Sequence, residues 1–340
     1  MLRAKIAGVG GYVPPHLVRN EDLEGPMEIS AEAIERRTGI RQRYWADRDP
    51  RLATSDLALA AAERALEHAA LPRAALDLIM VATLSPDAAA PSTACFLQDK
   101  LGTPGIPAFD VRAQCSGFLY GLSLADLYIR AGVHEHVLLV GAELQSKLLD
   151  MTPRGRNVTV LFGDGAGALV VSATDVQEAS ARAHESLILS THLHSDGSLL
   201  GHLLWQHPGT MNRLFVTPEL VPAPESHPQM KGRELYDICM QRLPEVSREA
   251  LAANGVAARD VDLFVIHQSN QRINVDYAHA LGVPEDRVFS TIERFGNTTG
   301  ATIPLGLSEA VREGRLEPGM LVLSCSFGSG ITWASALYRW

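Results

Sequence analysis

Asp77-Leu78-Ile79-Met80-Val81-Ala82 returns later in the chain as Asp262-Leu263-Phe264-Val265-Ile266-His267, acid for acid and apolar for apolar until the final histidine. A short apolar run that follows a helical pattern reads as a buried strand of an α/β sheet. The pattern before the first copy runs from Thr54 to Ala70, with Thr54 or Ser55 as its N-cap, and the one before the second ends over Ser247 to Ala253. Further echoes follow in the same order. Leu101-Gly102 returns as Leu281-Gly282, Cys115-Ser116-Gly117 as Thr298-Thr299-Gly300, and Phe162-Gly163-Asp164-Gly165 as Phe327-Gly328-Ser329-Gly330. Ordered recurrence predicts two similar halves, residues 1–175 and 176–340, joined near Ala173 to Ser186. The expected fold class is α/β, with strands covered on both faces. Pseudo-symmetric halves bring equivalent helix starts together, so Cys115 of one half could meet His267 and Asn297 of the other.

With 340 residues, 46% hydrophobic and 20% charged, the chain can bury a large core and reads as a soluble, enzyme-sized protein. A net charge of -9 without any long Lys/Arg run argues against nucleic acid as a partner. The four cysteines are far apart, with no CxxC pair and no early signal-peptide pattern, which points to reduced thiols and a cytoplasmic location. Apolar runs such as Val137–Val140 and Met320–Leu323 fall far short of the roughly 20 residues a membrane span needs. No membrane association is expected.

Cys115 lies where a strand-like run, Ile106 to Val111, gives way to a helical pattern from Phe118 to Ala131. A thiol at the positive end of a helix is favoured as thiolate and is suited to nucleophilic attack. Cys95, Cys239 and Cys325 sit in apolar patterns and are expected in the core. His267 closes a predicted strand, where catalytic groups gather in open α/β sheets. Asn297 precedes the helical pattern Ala301 to Glu313, and taken alone it reads best as an N-cap. The remaining histidines, His202 and His207 among them, lack metal-ligand spacing, and no metal is expected. The glycine clusters Gly163–Gly167 and Gly328–Gly330 match neither a phosphate loop nor a dinucleotide fingerprint. Leu200 to Met230, with Pro208, Pro218, Pro222, Pro224 and Pro228, reads as a long irregular loop, either a cover for a substrate entrance or a solvated excursion.

Taken as a set, several motifs resemble the β-ketoacyl-acyl-carrier-protein synthase III family. They are Arg37-Thr38-Gly39-Ile40-Arg41, Cys115, Phe162 to Gly167, His267 to Arg272, Gly296-Asn297-Thr298 and Phe327 to Trp333. The resemblance implies the thiolase fold, two βαβα halves layered α-β-α-β-α, and a homodimer. It implies an acyltransferase with no cofactor, whose substrates are an acyl-CoA starter and malonyl-CoA or a malonyl-acyl carrier protein. Cys115 would carry the acyl group, while His267 and Asn297 would stabilise the enolate left when malonyl loses carbon dioxide. Backbone N–H groups of Cys115 and Ser329 would form the oxyanion hole. Arg37, Arg156, Asn270 and Arg272 would bind coenzyme A, and Ala90 and Phe327 would border the acyl pocket.

Departures from the family pattern carry expectations of their own. Ala33 stands where a tryptophan is common and Ala90 where a bulky residue limits acyl length, so an altered or enlarged starter pocket is expected. Asp237, His279 and Ala280 replace basic surface residues, which weakens or relocates docking of an acidic carrier protein around Arg272, Lys231 and Arg233. Leu84 to Asp87, Arg112 to Gly117, Arg154 to Asn157 and Met230 to Arg233 are similar to a specialised branch that includes an anthraniloyl-CoA-using synthase of quinolone biosynthesis. Secondary metabolism is the expected setting. Non-decarboxylative acyl transfer to a hydroxyl or amine is the rival chemistry.

Overall fold

In chain order the strands are β1 (Leu2–Tyr12), β2 (His16–Arg19), β3 (Gln42–Trp45), β4 (Leu78–Ala82), β5 (Ala108–Val111), β6 (His136–Glu143) and β7 (Gly165–Asp175). They continue as β8 (Leu187–Ser195), β9 (Leu203–Leu204), β10 (Gln229–Met230), β11 (Leu263–Phe264), β12 (Leu321–Gly328) and β13 (Thr332–Arg339). The structure is a computed structural model that describes residues 2–46, 48–175, 186–206, 210 and 226–340.

One sheet has the order β1-β7-β6-β4-β5 and a second the order β11-β12-β13-β8. In the first, β4 is parallel to β5 and β6, while β7 is antiparallel to β6 and β1. In the second, β11 is parallel to β12, and β13 is antiparallel to β12 and β8. Strand for strand, β4-β6-β7-β1 and β11-β12-β13-β8 are the same arrangement. The position of β5 is reduced in the second sheet to a single parallel bridge between Phe264 and Val288. The recurring hexapeptide is thus the pair of equivalent central strands, and all five residues of β4 are buried because helices cover both faces.

Two helices, Gly117–Arg130 and Thr302–Arg312, fill the space between the sheets. Phe118, Leu122 and Ile129 of one and Ile303, Leu307 and Ala310 of the other share a core with Met80 and Leu139 of the first sheet and Val322 and Ala336 of the second. Each large apolar side chain buried there is worth about 1.5–3 kcal/mol. Outside the first sheet lie Thr54–His68 and Thr93–Leu101, and outside the second Gly232–Ala253 and Gln271–Leu281. This is the α-β-α-β-α thiolase-like layering.

Local departures have physical reasons. The helix at Thr54 takes Ala53 as its N-cap, whose N–H donates to Asp56 Oδ2 at 2.8 Å. The hydroxyls of Thr54 and Ser55, expected to cap it, bond instead to the Ser85 carbonyl and Asp87. The echo of Cys115-Ser116-Gly117 in Thr298-Thr299-Gly300 is out of register. The spacing that relates Asp77 to Asp262 pairs Gln114 with Thr299, and these two residues share a left-handed backbone (φ 45° and 51°) at the start of matching turns. Phe162–Gly165 leads into β7 and Phe327–Gly330 into β13, so that echo marks the entries of equivalent strands. The expected join falls largely on 176–185, and Pro208, Pro218, Pro222 and Pro224 of the long loop likewise lie outside the described residues. The base of that loop is closed by the antiparallel pair β9 and β10 rather than being irregular.

A tight meeting of sheet and turn falls at Gly141 of β6. A Cβ there would sit 2.3 Å from the Gly300 carbonyl oxygen, a contact no side chain can make. Gly141→Ala is expected to lower stability by about 1–3 kcal/mol in chemical denaturation. Gly25→Ala, where a Cβ meets nothing within 4 Å, should stay within about 0.5 kcal/mol of the parent.

Candidate active site

Cys115 lies in the turn Gln114–Ser116 between β5 and the helix Gly117–Arg130. The end of β12 presses on it from the second half of the chain. A Cβ on Gly328 would lie 2.9 Å from Cys115 Cβ and 3.0 Å from its backbone N, so only glycine permits this approach. Ser326 Oγ donates to the Cys115 carbonyl at 2.6 Å and fixes the turn from the same side.

His267 prolongs the line of β11, its N–H donating to the Cys325 carbonyl at 2.9 Å. The side chain is buried, and its Nδ1 has no hydrogen-bond partner among the described residues. Asn297 is stitched to the first half. Its N–H donates to the Leu161 carbonyl at 2.8 Å, and its carbonyl accepts from the Gly163 N–H at 3.1 Å. Thr298, not Asn297, occupies the N-cap position of the following turn. The Asn297 Oδ1 accepts the Thr299 N–H at 2.8 Å, which commits the oxygen and leaves the amino group of the amide as the available donor. Cys115, His267 and Asn297 line one cavity of about 1270 Å³.

Burial of the Cys115 and His267 side chains sets their protonation. Burial, with the negative charge of Glu143 second, pushes the Cys115 thiol up to about 12. The expected resting thiolate is therefore corrected, because loss of hydration outweighs what the helix start offers an anion. Burial likewise draws His267 down to about 4, against a smaller opposing effect of the Thr299 backbone. The resting pair is a thiol and a neutral imidazole, and the imidazole keeps one N–H to donate.

Glu143 was not singled out in the sequence, although a charged residue closing the apolar run Val137–Ala142 was the available signal. It is fully buried and accepts hydrogen bonds from Ser85 Oγ at 2.7 Å, the Leu84 N–H at 3.2 Å and the Gly300 N–H at 3.4 Å. Burial pushes its carboxyl up to about 7. The carboxyl thus ties a loop of the first half to the turn that carries Asn297 and Thr299.

Arg37, Arg156, Asn270, Arg272 and Phe327 all line the same cavity. Arg37 and Arg156 are exposed and make no ion pair with any described residue, whereas Arg272 pairs with Asp276 at 3.3 Å and lies over the Tyr236 ring. Asn270, expected as a coenzyme A contact, already caps the helix Gln271–Leu281 through the Arg272 N–H and donates to the Arg37 carbonyl at 3.0 Å. Its side chain therefore shapes this wall of the cavity. Ser329 also lines it, with its Oγ donating to the Leu203 carbonyl at 2.6 Å. Ala90 is exposed and does not border the cavity of its own chain; Ala88 and Ala89 do. Cys325 is core as expected, Cys239 is buried but borders the cavity, and Cys95 is only part-buried. Leu203, Leu204, Trp205, Pro228 and Met230, the described flanks of the long loop, also contribute to the lining. Among the described residues no cluster of three or more His, Cys, Asp or Glu is placed to hold a metal ion.

Residues 109–197 match the family profile described as 3-oxoacyl-[acyl-carrier-protein] synthase III, and residues 251–340 match the C-terminal profile of the same enzyme. A β-ketoacyl-[acyl-carrier-protein] synthase III of Paramagnetospirillum magneticum is 45% identical over 339 residues, covering 100% of this chain and 99% of that protein. One of Rhodospirillum rubrum is 45% identical over 340 residues, with both chains fully covered. The crystal structure of 3-oxoacyl-[acyl-carrier-protein] synthase III from Aquifex aeolicus superposes with a TM-score of 0.88 at 38% identity, covering 99% of this chain and 100% of that one.

The place of Glu143 beside the thiol predicts a pH effect. Glu143→Gln removes the charge that opposes the thiolate, so the pH profile of Cys115 alkylation by iodoacetamide should move to lower pH. A profile that stays put or moves upward would show that the carboxylate does not act on the sulfur.

Proposed function

We propose that this chain, which belongs to the 3-oxoacyl-[acyl-carrier-protein] synthase III family, loads a starter acyl group on Cys115 and extends it with a malonyl unit under the hydrogen bonds of His267 and Asn297. The chain is a decarboxylative condensing acyltransferase that works on acyl thioesters and needs no cofactor. The observation that supports the residue roles is the meeting, in one cavity, of a buried thiol, a neutral imidazole and an asparagine whose oxygen is already committed.

In the loading step the Cys115 sulfur attacks the carbonyl of the acyl-CoA, a new C–S bond forms, and the bond to coenzyme A breaks. The thiol proton leaves with the coenzyme A sulfur, so no net charge is left in the cavity. The Cys115 and Ser329 N–H groups stabilise the tetrahedral oxyanion, and Gly328 allows the two backbones to converge there. In the second step the malonyl thioester loses carbon dioxide, and negative charge develops on its carbonyl oxygen. His267 and the amino group of Asn297 donate to that oxygen, and preorganised donors in a water-poor site are worth several kcal/mol there. The resulting carbanion attacks the acyl-cysteine and expels the thiolate, which takes up one proton to restore the resting thiol. A neutral His267 suits this step, since it donates without having to lose a charge first.

Arg37, Arg112, Arg156, Arg233 and Arg272 line the cavity against Asp237, the single lining carboxylate among the described residues, which favours phosphate-bearing carriers. We therefore read acyl-CoA as the starter donor and malonyl-acyl carrier protein as the extender. The relatives above carry the general synthase III name, so the specialised branch and an anthraniloyl starter draw no support from them. A homodimer is supported by β5, the outermost strand of its sheet, whose far edge is unpaired and only partly buried in the single chain. The cysteines are all free thiols, and no helix among the described residues is long and apolar enough to cross a membrane, in keeping with the cytoplasmic location expected from the sequence.

Intact-mass analysis after exposure to an acyl-CoA should show a single acyl adduct that Cys115→Ala abolishes. Asn297→Ala should keep that adduct yet lose roughly 100-fold or more in carbon dioxide release and product formation from malonyl-acyl carrier protein. An adduct that survives in Cys115→Ala, or full condensation by Asn297→Ala, would overturn the assignment.

A further inference from the structure

Gln145 follows the end of β6 and is 1% exposed, yet its side chain borders the cavity. Its backbone N–H donates to Asp164 Oδ1 at 2.8 Å, which holds the backbone in place. The side-chain amino group donates to Thr299 Oγ1, and Oε1 accepts no hydrogen bond from any described residue. That oxygen is also not sealed from the cavity in the way that the unpartnered Nδ1 of His267 is. Thr299 in turn holds the Asn297 Oδ1, and its backbone acts on His267, so the amide is linked through Thr299 to both of these residues. Leu84, Leu148, Leu161, Phe162 and Phe327 contribute apolar surface to the same cavity.

An unpartnered amide oxygen in that lining has consequences for selectivity. An alkyl chain laid over it strips away its water and returns nothing, whereas a hydroxyl or amino group restores the lost hydrogen bond. Sites built around a buried polar partner reject analogues that lack the matching group far more strongly than apolar pockets discriminate by size. We infer that Gln145 determines starter specificity: its Oε1 selects an acyl group that carries a hydrogen-bond donor, a hydroxyl or amino group, close to the thioester carbonyl. The inference rests on the loading of Cys115 proposed above and adds the chemical class of the starter.

The test compares initial rates of Cys115 acylation by matched thioesters, butyryl-CoA against β-hydroxybutyryl-CoA and benzoyl-CoA against ortho-aminobenzoyl-CoA, using the full chain and intact-mass detection. The parent should load at least one donor-bearing member roughly tenfold faster than its plain partner, and Gln145→Leu should collapse that ratio toward one. Gln145→Met, closer in shape, serves if the leucine variant does not fold, and the parent's own preference is readable without either. No preference in the parent, a ratio unchanged in the variants, or equal slowing of both members of a pair would overturn the inference, the last by making Gln145 only a prop for Thr299. Failure of every thioester to label Cys115 would instead remove the proposed loading step itself.

Discussion

The approach of Gly300 to Gly141, with the Glu143 carboxyl beside it, is the constraint on which the site depends. The strand that ends at Glu143 belongs to the first sheet, while the turn that begins at Thr299 starts a central helix of the second half. Backbone meets backbone there because neither glycine carries a Cβ, and the Gly300 N–H reaches the buried carboxylate at 3.4 Å. Since Asn297 is also bonded to Leu161 and Gly163, the turn has no freedom to drift from the cysteine it faces. Positioning to a fraction of an ångström is what condensation chemistry requires of such groups.

The same packing explains why the resting site is electrically quiet. A helix start favours an anion by a modest amount, but complete burial removes hydration worth far more, so sulfur keeps its proton and imidazole stays uncharged. In the proposed reaction, charge passes from the thioester oxygens to the leaving thiolate, beside the candidate donors His267 and Asn297. The negative charge of Glu143 opposes the thiolate, which is why its protonation bears on the thiol.

Much of this was legible in the order of residues. The recurring hexapeptide predicted equivalent strands, and the Leu-Gly echo that supported two similar halves falls at equivalent helix ends, where Gly102 and Gly282 take left-handed conformations with φ 67° and 68°. Cys115 was legible from its place before a helical pattern, whereas a role for Asn297 rested on the resemblance to a family, since its own surroundings read as an N-cap. Register at the turns was not, since the left-handed residues there are Gln114 and Thr299, neither a type that announces such a backbone. Glu143 and Gln145 were missed for a related reason: in sequence they are ordinary polar residues after a strand, and only their surroundings give them meaning.

The sequence by itself determined the class of fold and the doubling of the unit and marked the candidate site residues, because hydrophobic periodicity and residue chemistry are local properties. Tertiary structure alone decided the protonation of Cys115 and His267, the orientation of the Asn297 amide, the diversion of Asn270 to capping and the exclusion of Ala90 from its own chain's cavity. Each of these depends on which groups, remote in sequence, strip water from or bond to a given atom, and desolvation is a property of the assembled interior that no stretch of chain carries alone.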